Sequence, residues 1–183
     1  MTVKEQWAWV GAITIVLVGG VAAATHALRD QLFPVTLGSE APTFEAKTID
    51  SAAVRRTLAD YRGKVVLLNI WATWCTPCIV EMPTMEALHR EFKGTDLRIV
   101  AVSIDQAQTE TAIRDFVNKL GVTFEVLHDA QGEITRAYQA TGYPETFVIG
   151  RDGVIRKKVI GAADWNSEGN RALIRQLLAE RAG

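Results

Sequence analysis

The stretch that decides the fold is Lys64-Val65-Val66-Leu67-Leu68-Asn69-Ile70-Trp71-Ala72-Thr73-Trp74-Cys75-Thr76-Pro77-Cys78. Its first eight residues form a nearly continuous apolar run, which is typical of a β-strand that is covered on both faces. The cysteine pair follows this run, residues 76–92 have the pattern of a helix, and residues 97–104 form a second apolar run. The sequence therefore predicts a βαβ unit whose two strands are parallel.

Strands and helices continue to alternate along the rest of the chain. The pattern predicts helices at residues 109–120, 133–140 and 166–181, and strands at residues 124–127, 145–149 and 154–160. The last two strands are separated by Gly150-Arg151-Asp152-Gly153, which is a hairpin signal. The predicted fold class is therefore α/β.

Length and composition exclude several classes of protein. The chain has 183 residues, of which 48% are hydrophobic and 22% are charged. These values are ordinary for a globular protein and exclude a disordered, a collagen-like or a polytopic membrane protein. The formal net charge is −1, so the chain has no basic excess with which to neutralise phosphates, and we expect no nucleic-acid partner.

The N-terminal segment predicts a membrane anchor. Residues 7–28 contain no Lys, Arg, Asp or Glu. A helix of this length covers roughly 33 Å, which is enough for a bilayer core of about 30 Å. Trp7 and Trp9 lie at one end of the segment, where interfacial tryptophans are common. We therefore expect a short tail at 1–6, a transmembrane helix at 7–28, a linker at 29–37 and a folded domain at 38–183.

Two alternatives remain for this segment. Ala22-Ala23-Ala24 offers a cleavage site, so residues 7–28 could belong to a signal peptide. A buried helix of a soluble protein is the third interpretation. Either a retained anchor or a cleaved signal sends the domain out of the cytoplasm.

The two cysteines predict reversible redox chemistry. Cys75 lies where the helix begins, so unpaired backbone N–H groups and the helix dipole can stabilise its thiolate. Cys78 lies one turn further on, near enough to form a disulfide, and Pro77 suits the first helical turn.

A structural role for the pair is less favoured. A disulfide across so short a loop contributes little through chain entropy. A zinc site would need two further ligands, and the histidines lack a ligand spacing. These are His26, His89 and His128. We therefore expect no metal and no cofactor.

Three stretches of the sequence resemble a known family. Residues 71–78 resemble the active-site signature of thioredoxin-like proteins, and residues 38–44, Gly38-Ser39-Glu40-Ala41-Pro42-Thr43-Phe44, resemble the entry motif of the redoxin branch. The segment between the strand at 97–104 and Tyr143-Pro144 is longer than in plain thioredoxin. With the predicted anchor, these features resemble the membrane-tethered TlpA/ResA/CcmG group of bacterial thiol–disulfide oxidoreductases, over roughly residues 36–180.

Two further motifs resemble different branches of this group. Pro144-Glu145-Thr146-Phe147 resembles CcmG, whereas Thr76-Pro77 and Ser103-Ile104-Asp105 resemble TlpA and ResA. All three branches imply a thioredoxin-like fold with a central mixed sheet that is flanked by helices, here behind an N-terminal transmembrane helix.

The resemblance also implies roles for individual residues. Cys75 would be the attacking thiolate, and Cys78 would be the thiol that resolves the mixed disulfide. Pro144 matches the cis-proline, which would leave the Tyr143 backbone free to pair with an extended client peptide. The residue before this proline is often smaller than tyrosine. The client-binding surface would comprise Trp74, Thr76, Pro77, Tyr143 and Pro144.

The residues that would move protons depart from classical thioredoxin. Asn69 occupies the position of a buried Asp, and an amide cannot accept that proton. Glu81 lies three residues after Cys78, so both project from one helical face, and ResA-like members have Glu there. We expect Glu81 to be the partly buried catalytic carboxylate. The alternative is a solvated helix residue. Trp165 is expected to be a packing residue.

These observations predict an anchored thiol–disulfide oxidoreductase without a cofactor. The resemblance implies protein clients with Cys pairs, such as apocytochrome c or copper-site assembly proteins, and a membrane electron donor of DsbD/CcdA type. The location implied is the bacterial cytoplasmic membrane, with a single pass and the domain facing the periplasm.

Three other functions remain as alternatives: a disulfide-forming oxidant, a copper-binding chaperone and a peroxiredoxin-like peroxidase. The last is disfavoured because Ala72 stands three residues before Cys75, where those enzymes need Thr or Ser, and no proline lies upstream nearby.

Overall fold

A computed structural model of the protein describes residues 2–27, 35–50 and 52–180. The chain divides into two compact units, with the boundary after Pro34. In the first unit, the helix α1 (Val3–Ala27) has exposed apolar side chains, among them Ile15 at 74% and Val16 at 72%. Among the described residues, we find no helix with the length and apolar character that a membrane span requires.

Part of the predicted N-terminal organisation lies outside the described residues. This applies to Leu28, the last residue of the predicted anchor, and to residues 29–34 of the predicted linker. The anchor and its alternatives therefore stay predictions.

The described residues of the second unit form a seven-stranded sheet in the order β2-β1-β5-β4-β3-β6-β7. The strands are β1 (Glu45–Thr48), β2 (Arg55–Thr57), β3 (Val65–Trp71), β4 (Leu97–Ser103), β5 (Glu125–His128), β6 (Glu145–Ile149) and β7 (Ile155–Ile160). The helices are α2 (Thr76–Glu91), α3 (Glu110–Lys119), α4 (Glu133–Ala137) and α5 (Glu168–Ala179), with a short 3-10 helix at Leu58–Tyr61.

The sheet is mixed, as predicted. β3 pairs with β4, and β4 pairs with β5, in parallel, which confirms the predicted βαβ unit. The remaining neighbours are antiparallel, including the predicted hairpin of β6 and β7. β1 and β2 were not predicted, because these strands towards the sheet edge are short and carry charged residues.

The two faces of the sheet bury two separate cores. Val65, Leu67 and Trp71 of β3 pack on the face that α2, α3 and α5 cover. Alternate residues such as Val66 and Leu68 pack on the opposite face, with α4 and the 3-10 helix. Successive side chains of a strand point to opposite faces, so a strand in this position needs apolar residues throughout. This explains the continuous apolar run.

The register of β3 and β6 determines where the functional residues lie. Ile70, near the end of β3, pairs with Glu145 at the start of β6. Because the strands are antiparallel, the loop that leaves β3 towards the cysteines and the loop that enters β6 lie at the same edge of the sheet.

Candidate active site

The cysteine pair lies at the start of α2. Cys75 is the N-cap residue, with φ −87° and ψ 99°, and its sulfur accepts a hydrogen bond from the Cys78 N–H at 3.3 Å. The two residues form a disulfide with a Cα–Cα distance of 5.3 Å. Both are buried, with Pro77 in the first helical turn. In the reduced protein, the same N–H group and the helix dipole would stabilise a Cys75 thiolate.

Two loops meet beside the cysteines. The Trp74 ring, which is 64% exposed, makes an edge-on contact with the Tyr143 ring, with 6.0 Å between centroids. The Tyr143–Pro144 peptide bond is cis, as the resemblance implies. The Pro144 carbonyl accepts a hydrogen bond from the Gly161 N–H at 2.8 Å. Among the described residues, the Tyr143 backbone makes no such bond.

The structure thus brings the predicted client-binding residues to one edge of the sheet. Thr76 and Pro77 are exposed at the start of α2, beside Trp74 in the chain. Tyr143 and Pro144 come from the other loop.

Glu81 is buried and is held by neutral donors. Its Oε1 accepts hydrogen bonds from the Trp165 indole N–H at 2.6 Å and from the Ala163 N–H at 3.1 Å. Its Oε2 accepts one from the Asn69 amide at 3.0 Å. The side chain is 2% exposed, so the interpretation of Glu81 as a solvated helix residue is wrong.

Burial raises the pKa of Glu81, because a carboxylate loses its hydration in this site. The three hydrogen bonds oppose this rise. The described residues place no cation against the carboxylate, and its environment is therefore one in which it can hold a proton.

Asn69 and Trp165 have contacts that the sequence did not predict. The Asn69 amide also donates to the Thr146 hydroxyl at 2.8 Å, and so links Glu81 to β6. Trp165 is fully buried, which agrees with a packing residue, but its indole N–H is also a donor to Glu81. Nothing in the local sequence signals a contact between residues 84 positions apart.

Two more buried carboxylates lie next to the site. Glu145 accepts hydrogen bonds from the N–H groups of Thr141 and Gly142, and Asp105 accepts from Thr73. In the sequence, both residues stood out only as part of motifs that resemble particular branches, although each directly adjoins a loop of the site. The described residues contain no cluster of three or more His, Cys, Asp or Glu side chains that could hold a metal ion.

Known proteins resemble this chain in sequence and in structure. The model of the AhpC/TSA family matches residues 37–158. The thiol-disulfide oxidoreductase ResA of Oceanobacillus iheyensis is 36% identical over 162 residues, which are 87% of this chain and 83% of that protein. The thioredoxin-like protein YneN of Bacillus subtilis is 40% identical over 125 residues, which are 68% of this chain and 71% of that protein.

A solved structure from Chlorobium tepidum, described as a thiol:disulfide interchange protein DsbE, has a TM-score of 0.70 and 30% identity. The matched region covers 79% of this chain and 99% of the Chlorobium tepidum chain. The fold is therefore thioredoxin-like. The chain belongs to the AhpC/TSA family, and with its cysteine pair at the start of α2 it is a thiol–disulfide oxidoreductase of the ResA/DsbE type.

Proposed function

We propose that the protein is a membrane-anchored reductant of disulfides in extracytoplasmic proteins. The family implies protein clients that contain cysteines. Apocytochrome c and copper-site assembly proteins are the clients that we propose, with electrons supplied by a membrane donor of DsbD/CcdA type. The position of Cys75 at the N-cap of α2 carries the exchange chemistry of this proposal, since it is the position at which the attacking thiolate is stabilised. The direction of electron flow is proposed from the family resemblance.

The proposed reaction has two exchange steps. The Cys75 thiolate attacks one sulfur of the client disulfide, so that a mixed disulfide forms and the other client sulfur leaves as a thiolate. The Cys78 thiolate then attacks the Cys75 sulfur, which closes the Cys75–Cys78 disulfide and releases the client. The client takes up two protons and has gained two electrons, and the donor returns two electrons to the Cys pair.

Glu81 is the group that we propose for proton transfer in these steps. It lies one helical turn after Cys78, and its pKa is raised by burial, so it can exchange a proton near neutral pH more readily than an exposed carboxylate. Asn69, at the position of the classical Asp, orients this carboxylate through its amide.

The client would bind as an extended peptide along Tyr143. The Tyr143 backbone N–H can donate a hydrogen bond to an added strand, and its C=O can accept one. The Trp74 and Tyr143 rings, which contact each other, would offer an apolar surface beside the client cysteine. Thr76 and Pro77 would contact the client from the start of α2.

The proposed location is the bacterial cytoplasmic membrane, with the domain facing the periplasm. A helix with apolar side chains exposed on all sides is unfavourable in water, and residues 9–25 of α1 are exposed throughout. Alkaline carbonate extraction of membranes should leave the full chain in the pellet. A soluble protein that begins near Thr25 would instead indicate a cleaved signal peptide.

Trapping of clients tests the roles of the cysteines. We expect Cys78→Ser to accumulate mixed disulfides with client proteins, because the second exchange step is lost. The matched variant Cys75→Ser should accumulate none. Faster alkylation of Cys78 than of Cys75 in the reduced protein would reverse the two roles.

The reduction potential of the Cys pair tests the direction of electron flow. A value near about −270 mV or below would support a reductant, and one near about −120 mV would support the alternative of a disulfide-forming oxidant. Two measurements on the same preparation test the remaining alternatives. Rapid consumption of peroxide would support a peroxidase, and tight binding of copper would support a copper chaperone.

A further inference from the structure

The loop that carries Cys75 is held by a buried carboxylate from the next strand. Asp105, just beyond β4, accepts a hydrogen bond from the Thr73 N–H at 3.0 Å. Its other oxygen accepts one from the Thr73 hydroxyl at 2.6 Å. Both groups of Thr73 are thus bound by one side chain that is 6% exposed. We call this pair of hydrogen bonds the Thr73–Asp105 clasp.

Asp105 is itself held in place. The Ser103 hydroxyl donates to the Asp105 carboxylate at 2.7 Å, and the Asp105 N–H donates to the same hydroxyl at 3.2 Å. The Asp105 carbonyl accepts a hydrogen bond from Nε2 of His128 at 2.8 Å. The carboxylate is therefore a fixed acceptor, and its partners satisfy it in a site from which water is largely excluded.

Thr73 controls the turn that ends at the attacking cysteine. The Cys75 N–H donates to the Ala72 carbonyl at 3.2 Å, so residues 72–75 form a turn with Thr73 as its first central residue. The conformation of this turn sets the direction in which the Cys75 sulfur leaves the backbone. It therefore also sets whether the sulfur reaches the Cys78 N–H.

The pairing of β3 with β4 does not depend on the clasp. The two strands share an uninterrupted register from Val65↔Leu97 to Trp71↔Ser103, and the Ile104 N–H donates to the Trp71 carbonyl at 2.9 Å. A change at Thr73 therefore leaves the ladder intact and acts on the turn.

We propose that Asp105 is a positioning residue for thiol–disulfide exchange, which acts through Thr73 to hold Cys75 at the N-terminus of α2. This inference rests on the proposed function, because it takes Cys75 as the attacking thiol.

The test uses Thr73→Val, which removes the hydroxyl donor and keeps both the shape and the charge of Asp105. In the reduced full chain, we expect alkylation of Cys75 at pH 7 to slow about threefold, with a higher apparent pKa, because a looser turn weakens the helix N-terminal stabilisation of the thiolate. Thr73→Ser keeps the hydroxyl donor, and its alkylation rate of Cys75 should depend on pH as in the wild type.

Thr48→Val is the matched control. The Thr48 hydroxyl donates to Asp50 at 2.8 Å and accepts from the Val54 N–H at 2.9 Å, so the variant breaks a similar Thr–Asp hydrogen bond and one more, in the β1–β2 turn. We expect it to leave the Cys75 profile unchanged. Ser103→Ala is the second test variant. It removes a donor to Asp105 without altering the loop, and should shift the profile in the same direction as Thr73→Val.

The outcomes separate the two proposals. If Cys78 is alkylated first in the wild-type protein, the assignment of Cys75 as attacking thiol fails. If Cys75 reacts first and the Thr73→Val and Ser103→Ala profiles superimpose on the wild type, the positioning role of Asp105 is overturned while the proposed function stands. Equal slowing by Thr48→Val and Thr73→Val also overturns it, because the effect is then general destabilisation.

Discussion

Glu81 and Glu145 are two buried carboxylates on opposite faces of the sheet, and they are held in different ways. Glu81 belongs to the face with α2, where it contacts Asn69 and, through it, Thr146 of β6. Glu145 is the preceding residue of β6, so its side chain points to the other face. Glu81 is 2% exposed and Glu145 is fully buried, so depth does not distinguish them.

The difference lies in their partners. Glu81 has three neutral N–H donors, whereas Glu145 has Lys158, whose Nζ is 2.9 Å from its Oε1. That contact is an ion pair without hydrogen-bond geometry, while Oε2 accepts from the N–H groups of Thr141 and Gly142. The comparison teaches that burial alone does not define a catalytic carboxylate. In our proposal, Glu81, which has no countercharge among the described residues, exchanges protons. Glu145, which faces a lysine, holds the loop before Tyr143 by accepting from Thr141 and Gly142.

Lys158→Met should give the largest effect on stability. It leaves the Glu145 charge buried and unpaired, which costs about 2–3 kcal/mol of unfolding free energy, toward the lower end for buried pairs because Lys158 is partly exposed. Urea denaturation measures this loss. The double variant Glu145→Gln/Lys158→Met should recover at least half of it. No recovery in the double variant would mean that the lysine stabilises through its contact with the Phe147 ring and not through its ion pair with Glu145.

Glu81→Gln should slow the reduction of a client peptide ten- to a hundredfold, about 1.4–2.7 kcal/mol, because the proton acceptor is lost. Removal of the negative charge should also lower the apparent thiol pKa values, measured by alkylation rate against pH. Below the ordinary pKa of 4.5, stability should fall by only about 1 kcal/mol, since the amide keeps the shape and part of the hydrogen bonding.

Glu86→Gln is the matched control for that experiment. Glu86 is a second buried carboxylate of α2, but it binds Arg90 and Thr123. We expect it to affect stability and not the thiol titration. Equal rates and superimposable titrations for wild type and Glu81→Gln would leave Glu81 without a catalytic role.

The pH dependence of stability should differ in sign between these two carboxylates. Burial raises the pKa of Glu81, so the folded wild type holds its proton more firmly than the unfolded chain. The additional stability of the wild type over Glu81→Gln is present below the ordinary pKa of 4.5. It is lost as the pH rises through the pKa that Glu81 has in the folded protein.

The reverse holds for Glu86. Burial raises its pKa, but hydrogen bonds from Thr123 and the contact with Arg90 outweigh burial and lower it overall. Above the ordinary pKa of Glu86, the wild type should therefore be more stable than Glu86→Gln. It should lose this additional stability as the pH falls through the pKa that Glu86 has in the folded protein. Unfolding free energies between about pH 2 and pH 8 measure both slopes, because the window of Glu86 lies below its ordinary pKa of 4.5 and that of Glu81 lies above it. Equal slopes would contradict the comparison.

The smallest effect that we expect is the coupling between Trp165 and Glu81, because Trp165→Phe removes one hydrogen bond between them, worth about 1 kcal/mol. Because that bond lowers the pKa of Glu81, its loss should raise the pKa further. A double-mutant cycle with Glu81→Gln isolates the interaction energy. If the two losses simply add, the Trp165 indole stabilises by packing alone.

The sequence was most informative where structure is local. The apolar runs identified β3 and β4 to within one residue, and the cysteine spacing located the start of α2. It was least informative at β1 and β2, where the strands are short and Glu45, Lys47, Arg55 and Arg56 alternate with few apolar residues. Such strands form because a neighbouring strand offers backbone hydrogen-bond partners, as β5 does for β1. The local sequence pattern does not encode the position of that neighbour.

The chemistry of the site divides in the same way. By itself, the sequence determined that Cys75 and Cys78 lie one turn apart at a helix start, because helical geometry alone sets that distance. Only the tertiary structure decided what surrounds Glu81. Its donors come from residues 12, 82 and 84 positions away in the chain. A buried polar group takes the partners that the packing of distant elements brings to it, and those partners decide whether it can release a proton.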